Sequence, residues 1–186
     1  MKRLILCAAA AALMSACSSM PTGEAAAVAT AAMDQPAPSA AEYTRMAAAS
    51  DLYEIQSSQL VMQSANADLR RFAEMMVEHH TMTTATLTRA AQAAGMTPPA
   101  PALDTRKADM IRQLQSAQGE ARDSLYMQQQ VMAHQEALTL HTSYSRNGDA
   151  PELKAAATAA VPIVARHYNE ITAMQRGMGG EGHAGH

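Results

Sequence analysis

The chain has 186 residues, 48% of them hydrophobic, 3% aromatic and 17% charged, with no Trp and one Phe. That length holds one domain with a sizeable core, and a core so poor in aromatic rings must be built from Ala, Leu, Met and Val, which favours closely packed helices. The formal charge is −3, and an acidic chain with no basic stripe excludes nucleic-acid binding.

Lys2 and Arg3 precede an apolar run, Leu4 to Met14, which is too short for a permanent membrane helix and suits the hydrophobic region of a signal peptide. The run ends in Leu13-Met14-Ser15-Ala16-Cys17, which resembles the lipobox of bacterial lipoproteins, with Met14 where Leu is commoner. That resemblance implies that residues 1–16 are removed and that Cys17 becomes a lipid-modified N-terminus. Ser18 after it resembles the signal that sends lipoproteins of Gram-negative bacteria to the outer membrane. The alternative is an ordinary secretory leader followed by a chance cysteine. Cys7 is lost with the leader, so the mature chain keeps one cysteine and no disulfide. Loss of Lys2 and Arg3 leaves 12 basic residues against 17 acidic ones, a charge of −5.

Residues 17–38 are mostly Ala, Ser, Thr, Pro and Gly, too small to repay their ordering entropy, and are expected to form a flexible tether. The folded domain is expected to span residues 39–176. Ser39 with Glu42 three residues on is a capping box leading into a helix over 43–64, whose seam is Tyr43, Ala47, Ser50, Glu54, Ser57 and Val61. Asp68 is the expected cap of the next helix, whose seam runs through Leu69, Ala73, Met76, His80, Thr83, Leu87, Ala90 and Ala94 and stops at Gly95. Pro98, Pro99 and Pro101 make the following stretch an extended connection, after which Asp104 caps a short helix to about Ala117. Gly119 breaks the chain before a long helix over 120–147 with seam Met127, Val131, His134, Leu138 and His141. Asp149 as cap and Pro151 at the first helical position start the last helix, with seam Leu153, Ala157, Ala160, Val164, His167, Ile171 and Met174. Pro162 inside it is expected to bend it. Residues 177–186 have no apolar content and are expected to be disordered.

Four long helices, one short one and no strand signal predict an all-α fold. Segment 96–119 is long enough to run the length of a bundle, so the expected architecture is a ferritin-like four-helix bundle with a short extra helix in the crossover connection. A plain up-down bundle is the alternative.

Each long helix carries one polar seam residue at mid-height. Counted from the turn near residue 66, Glu54 lies 12 positions before and His80 lies 14 after; from the turn near 149, His134 lies 15 before and His167 lies 18 after. Antiparallel packing puts all four at one level, the arrangement by which bundles build metal sites. One reading is a buried polar layer whose members satisfy each other and fix register. The other is a metal site, since one Glu and three His suit Zn, Fe or Cu. A di-iron site is disfavoured because no Glu-x-x-His motif occurs. Glu78 and His79 are read as a solvated face, and His141, two turns from His134, as too distant to share an ion.

His183 and His186 with Met178 form a secondary metal candidate in the tail. Gly177 to Gly182 spells G-x-G-x-x-G, but it follows a helix and precedes nothing, so no nucleotide or flavin site is expected. No Walker loop, G-x-S-x-G or H-E-x-x-H is present, and with Cys17 lipidated no candidate nucleophile remains except unremarkable hydroxyls.

Phe72-Ala73-x-x-Met76-Val77-x-x-His80, Asp123-x-x-Tyr126 leading through Val131 to His134 and Ala137-Leu138, Pro162 with His167, and Tyr53-Glu54-Ile55 together resemble the bacterial domain of unknown function family 4142 over residues 42–175. The chain departs at His79, where that family usually has Asp, and at Arg122, where it usually has an aromatic. The resemblance implies a ferritin-like helical fold and an exported or outer-membrane location, and leaves the chemistry open. The function expected from the sequence is an envelope lipoprotein, membrane-anchored on the periplasmic side of the outer membrane, with a binding or structural domain and no catalysis. The alternative is a metal-binding protein or metal-dependent oxidoreductase using Glu54, His80, His134 and His167.

Overall fold

The computed structural model describes residues 23–181, and within them the chain is all helical. Six helices follow in order: α1 (Glu24–Ala32), α2 (Ala40–Val61), α3 (Ala67–Ala93), α4 (Thr105–Ser116), α5 (Gly119–Asn147) and α6 (Pro151–Glu181). Among the described residues no helix is long and apolar enough to cross a membrane. The leader, Cys17, His183 and His186 lie outside the described residues.

The helix ends follow from side chains that satisfy the orphan backbone groups. Ser39 Oγ accepts from the Glu42 N–H while Glu42 Oε2 accepts from the Ser39 N–H, the expected capping box. α3 begins two residues earlier than expected, because Asn66, and not Asp68, is its cap: Asn66 Oδ1 accepts from the N–H groups of Asp68 at 2.9 Å and Leu69 at 3.2 Å. α3 ends at Gly95, whose φ of 74° lets Met96 N–H reach the Ala91 carbonyl at 2.9 Å and Gly95 N–H the Gln92 carbonyl at 3.0 Å. Asp104 caps α4 through the Lys107 N–H. Asp149 does not cap α6; it accepts from the Tyr144 hydroxyl at 2.8 Å and from Ala40 N–H at 3.3 Å, and so ties the α5–α6 turn to the start of α2.

α2 packs against α3 and α5 against α6, each pair joined by a short turn, while α2 also meets α5 and α3 meets α6. α4 lies against α2 and α5. Two apolar clusters mark the two ends of this packing. One gathers Val61, Leu69, Phe72, Met76, Leu114, Tyr126 and Ile171, the other Tyr43, Ala47, Leu87, Tyr144, Leu153 and Ala157. The level between them is polar, and it is there that Glu54, His80, His134 and His167 are buried.

Two stretches differ from expectation. Within the expected tether, residues 24–32 form α1, packed on α5 and α6 with Ala25, Ala29 and Ala32 buried. The Ala25 and Ala29 methyls sit against Ala137, Leu138, Val164, Ala165 and Tyr168, where small side chains allow close approach of the backbones. The Ala25 N–H finds Asn169 Oδ1 at 3.3 Å, and Asn147 Nδ2 donates to the carbonyls of Met33 and Gln35, so both ends of α1 are fastened. At the other terminus α6 continues through Gly177 to Glu181, into the stretch expected to be disordered. Pro162 lies inside α6 on its exposed side, where the missing N–H and the ring face water.

Candidate metal centre

His80 comes from α3, His134 from α5 and His167 from α6, and one ligand nitrogen of each lies within 4.8 Å of those of the other two. Their ring centroids are 5.9 Å apart for His80 and His134, 5.4 Å for His80 and His167, and 5.5 Å for His134 and His167. Glu54 of α2 stands beside this group, with Oε1 3.7 Å from His134 Nδ1. The exposures of His134, His167 and Glu54 are 0% and that of His80 is 2%, so the group is shielded from bulk solvent.

Each imidazole uses one nitrogen outward. His80 Nδ1 bonds Asp51 Oδ1 at 2.8 Å, and Asp51 is itself held by Thr83 Oγ1 and Thr84 Oγ1, each at 3.0 Å. His134 Nδ1 bonds the Gln130 carbonyl at 2.9 Å, which requires a proton on Nδ1 and leaves Nε2 as a lone pair. His167 Nε2 meets His79 Nδ1 at 2.8 Å, and the two rings lie parallel with centroids 5.0 Å apart. The other nitrogen of each ring, Nε2 of His80, Nε2 of His134 and Nδ1 of His167, is buried with no hydrogen bond. Neither Glu54 oxygen meets hydrogen-bond geometry; the neighbouring Gln130 amide donates to Ser57 Oγ at 3.0 Å and, with its second N–H close to Glu54, works to lower the carboxyl.

Burial favours the neutral forms. It pushes the Glu54 carboxyl up to about 7, partly opposed by the charge of His80. It holds His134 down to about 3, and it drives His167 far below the ordinary imidazole range with help from the neighbouring imidazoles. Burial also works to lower His80, but the Asp51 hydrogen bond and the charges of Asp51 and Glu54 outweigh it, and that ring is raised. His134 and His167 are therefore neutral at pH 7, the state a metal ligand requires.

Two members of the site were not singled out from the sequence. Asp51 lies three residues before Glu54 on α2, and its partners are all on α3. His79 is half-buried, not part of a solvated face: besides His167 it touches the exposed guanidinium of Arg166, 3.3 Å from Nδ1. Glu78 is exposed. His141 is buried away from the triad, bonded through Nδ1 to the Tyr43 hydroxyl at 2.9 Å.

Fold and site together define an all-helical domain with a buried imidazole triad contributed by three helices. The family model described as domain of unknown function (DUF4142) matches residues 25–174, and the chain belongs to that family. No curated protein and no solved structure matches the chain.

Proposed function

We propose that this chain is an exported metal-binding protein, anchored to the membrane through a lipid on Cys17, whose helices form a ferritin-like four-helix bundle around one transition-metal ion held by His80, His134 and His167. The pairing of α2 with α3 and α5 with α6, joined by a crossover containing α4, supports the bundle. The observation that carries the metal is the direction of the orphaned atoms: three imidazole nitrogens have no partner, while the opposite nitrogen of every ring is fixed by a hydrogen bond. A buried polar atom left unpaired costs about 1–3 kcal/mol, so a layer serving only to fix register gains nothing from several of them. An ion converts all three into ligands, and outward bonds to a carboxylate, a carbonyl and a second imidazole are how proteins orient histidine ligands.

The donor set narrows the ion. Three imidazoles suit Zn, Fe or Cu, and exclude the hard all-oxygen cations Ca and Mg. Bonds of about 2.0–2.1 Å put nitrogens roughly 3.3 Å apart in a tetrahedral site, so the rings close inward by small rotations when the ion binds. Glu54 is placed to supply a further ligand or a compensating charge, and Asp51 behind His80 adds a second negative charge against a divalent cation.

Metal analysis of untagged protein truncated after Glu181, which removes His183 and His186 while keeping α6 whole, tests this reading. About one equivalent of Zn, Fe or Cu is expected in the wild type and background in a His80→Ala, His134→Ala, His167→Ala variant. Equal metal in both proteins would refute it. Mass spectrometry of the mature N-terminus tests the anchor: a lipidated Cys17 is expected, and an unmodified N-terminus elsewhere rules it out.

A further inference from the structure

The three inner nitrogens, Nε2 of His80, Nε2 of His134 and Nδ1 of His167, are sealed from solvent, so an ion reaches them only past a side chain that borders the triad. Asp51, Glu54 and Gln130 border it and are buried. His79 is different. It is half-buried, touches the exposed guanidinium of Arg166, and meets His167 Nε2 at 2.8 Å through Nδ1. This imidazole thus leads from the surface, where α3 meets α6, to a ring of the triad.

The contact is built like a pair of ligands. A hydrogen bond between two imidazole nitrogens is one proton shared by two lone pairs, and a transition metal ion of the kind that suits imidazole can take the place of that proton. The nitrogens, 2.8 Å apart, have to part by about 0.5 Å to reach the roughly 3.3 Å of a tetrahedral site. His167 carries one nitrogen on each side, Nε2 toward His79 and Nδ1 toward the triad. The same ring therefore serves an outer position and the inner one. The displaced proton goes to solvent as an ion binds outside, and the His79–His167 hydrogen bond takes one back when the ion has passed inward.

A rival approach is a cavity of about 190 Å³ lined by Asp51, Thr83 and Thr86 among apolar side chains. There Asp51 is held by three partners, His80, Thr83 and Thr84, and an entering ion has to break that set. At His79 it replaces one bond.

We infer that His79 Nδ1 and His167 Nε2 form an outer position at which a Zn, Fe or Cu ion is first bound and from which it passes to the buried triad. The inference rests on the triad holding an ion. Arg166 guards this entrance: its guanidinium lies 3.3 Å from Nδ1 and 3.5 Å from Nε2 of His79 and repels an approaching cation, with the exposed Glu78 opposing it.

The test is stopped-flow uptake of Co(II), a spectroscopic stand-in for Zn, by the full chain carrying His183→Ala and His186→Ala, followed by release to excess EDTA. His79→Gln keeps an acceptor that orients His167 but offers an amide, which suits these ions poorly. Uptake and release are both expected to slow on the order of tenfold, with Kd nearly unchanged, because one route serves both directions. A residue that only orients His167 changes release and Kd and leaves uptake alone. Arg166→Gln is expected to speed both directions a few-fold at constant Kd, and Ala160→Leu, which narrows the rival cavity, to change neither rate. If the triad holds no ion, the wild type takes up no Co(II), and the metal reading falls together with this inference. Uptake equally fast in wild type and His79→Gln, or slowed by Ala160→Leu alone, overturns this inference and leaves the triad standing.

Discussion

Around Tyr53 and Tyr126 the buried polar groups close on one another. The Tyr53 hydroxyl donates to Gln129 Oε1 at 2.9 Å, the Gln129 amide continues to Gln113 and the Met110 carbonyl, and Ser58 and the Tyr126 hydroxyl pair at 2.8 Å. Around His80, His134 and His167, in the same core, the bonds point outward and the inner nitrogens are left open. The difference separates two uses of buried polarity. A network that closes fixes helix register and is finished when the chain has folded; one that stays open on a single side is waiting for something outside the chain.

That comparison is broken most forcefully at the triad. His134→Ala is expected to abolish stoichiometric metal and to lower the melting temperature of the loaded protein, since at free metal a thousandfold above Kd the lost linkage is ~4 kcal/mol. Calorimetry with and without metal checks this, and an unchanged metal-dependent shift would place the ion elsewhere.

His141 gives the next largest effect, and it is one of pH. Burial lowers it to about 4, against about 6.5 in an unfolded chain. A depressed imidazole stabilises fully above its unfolded value, and that stability is lost as pH falls from 6.5 towards 4, up to ~3 kcal/mol for this residue. Denaturant melts across that window should show a flatter acid limb in His141→Phe than in the wild type. Parallel limbs would mean that His141 is not buried and neutral.

His79 sharpens the comparison from the outer side. Removing its acceptor in His79→Phe frees His167 to turn, with an expected loss of roughly 10- to 100-fold in metal affinity at nearly constant stability. His79→Gln retains an acceptor and is expected to recover most of the affinity. Equal affinities in all three proteins, measured by competition with a chromogenic chelator, count against a positioning role. In the closed network Tyr53→Phe leaves Gln129 Oε1 unpaired and is expected to cost about 1–2 kcal/mol, with metal content unchanged.

The seam spacing carried much of this into view. Tyr43, Ala47, Ser50, Glu54, Ser57 and Val61, six α2 positions chosen by the four-three rhythm, are all buried. Counting residues from two turns was enough to bring His80, His134 and His167 to one level, because helical rise converts sequence separation directly into height. Asp51 and His79 escaped because their roles depend on which neighbour faces them: Asp51 meets Thr83 and Thr84 across the α2–α3 contact, and His79 meets α6. Adjacent histidines at 79 and 80 were the available signal, since two neighbouring helix positions can face different partners. α1 was missed for a different reason. Its Ala25, Ala29 and Ala32 follow the same rhythm, but with no large side chain the docking energy lies in the groove between α5 and α6 that receives Ala25 and Ala29.

X-ray absorption at the edge of the bound metal, recorded on untagged protein ending at Glu181, tests the triad most directly. Three nitrogen scatterers at about 2.0–2.1 Å with the outer-shell pattern of imidazole are expected, falling to two in His134→Ala if any metal remains. A first shell made of sulfur, or of oxygen without imidazole, would contradict the assignment of His80, His134 and His167 as the ligands.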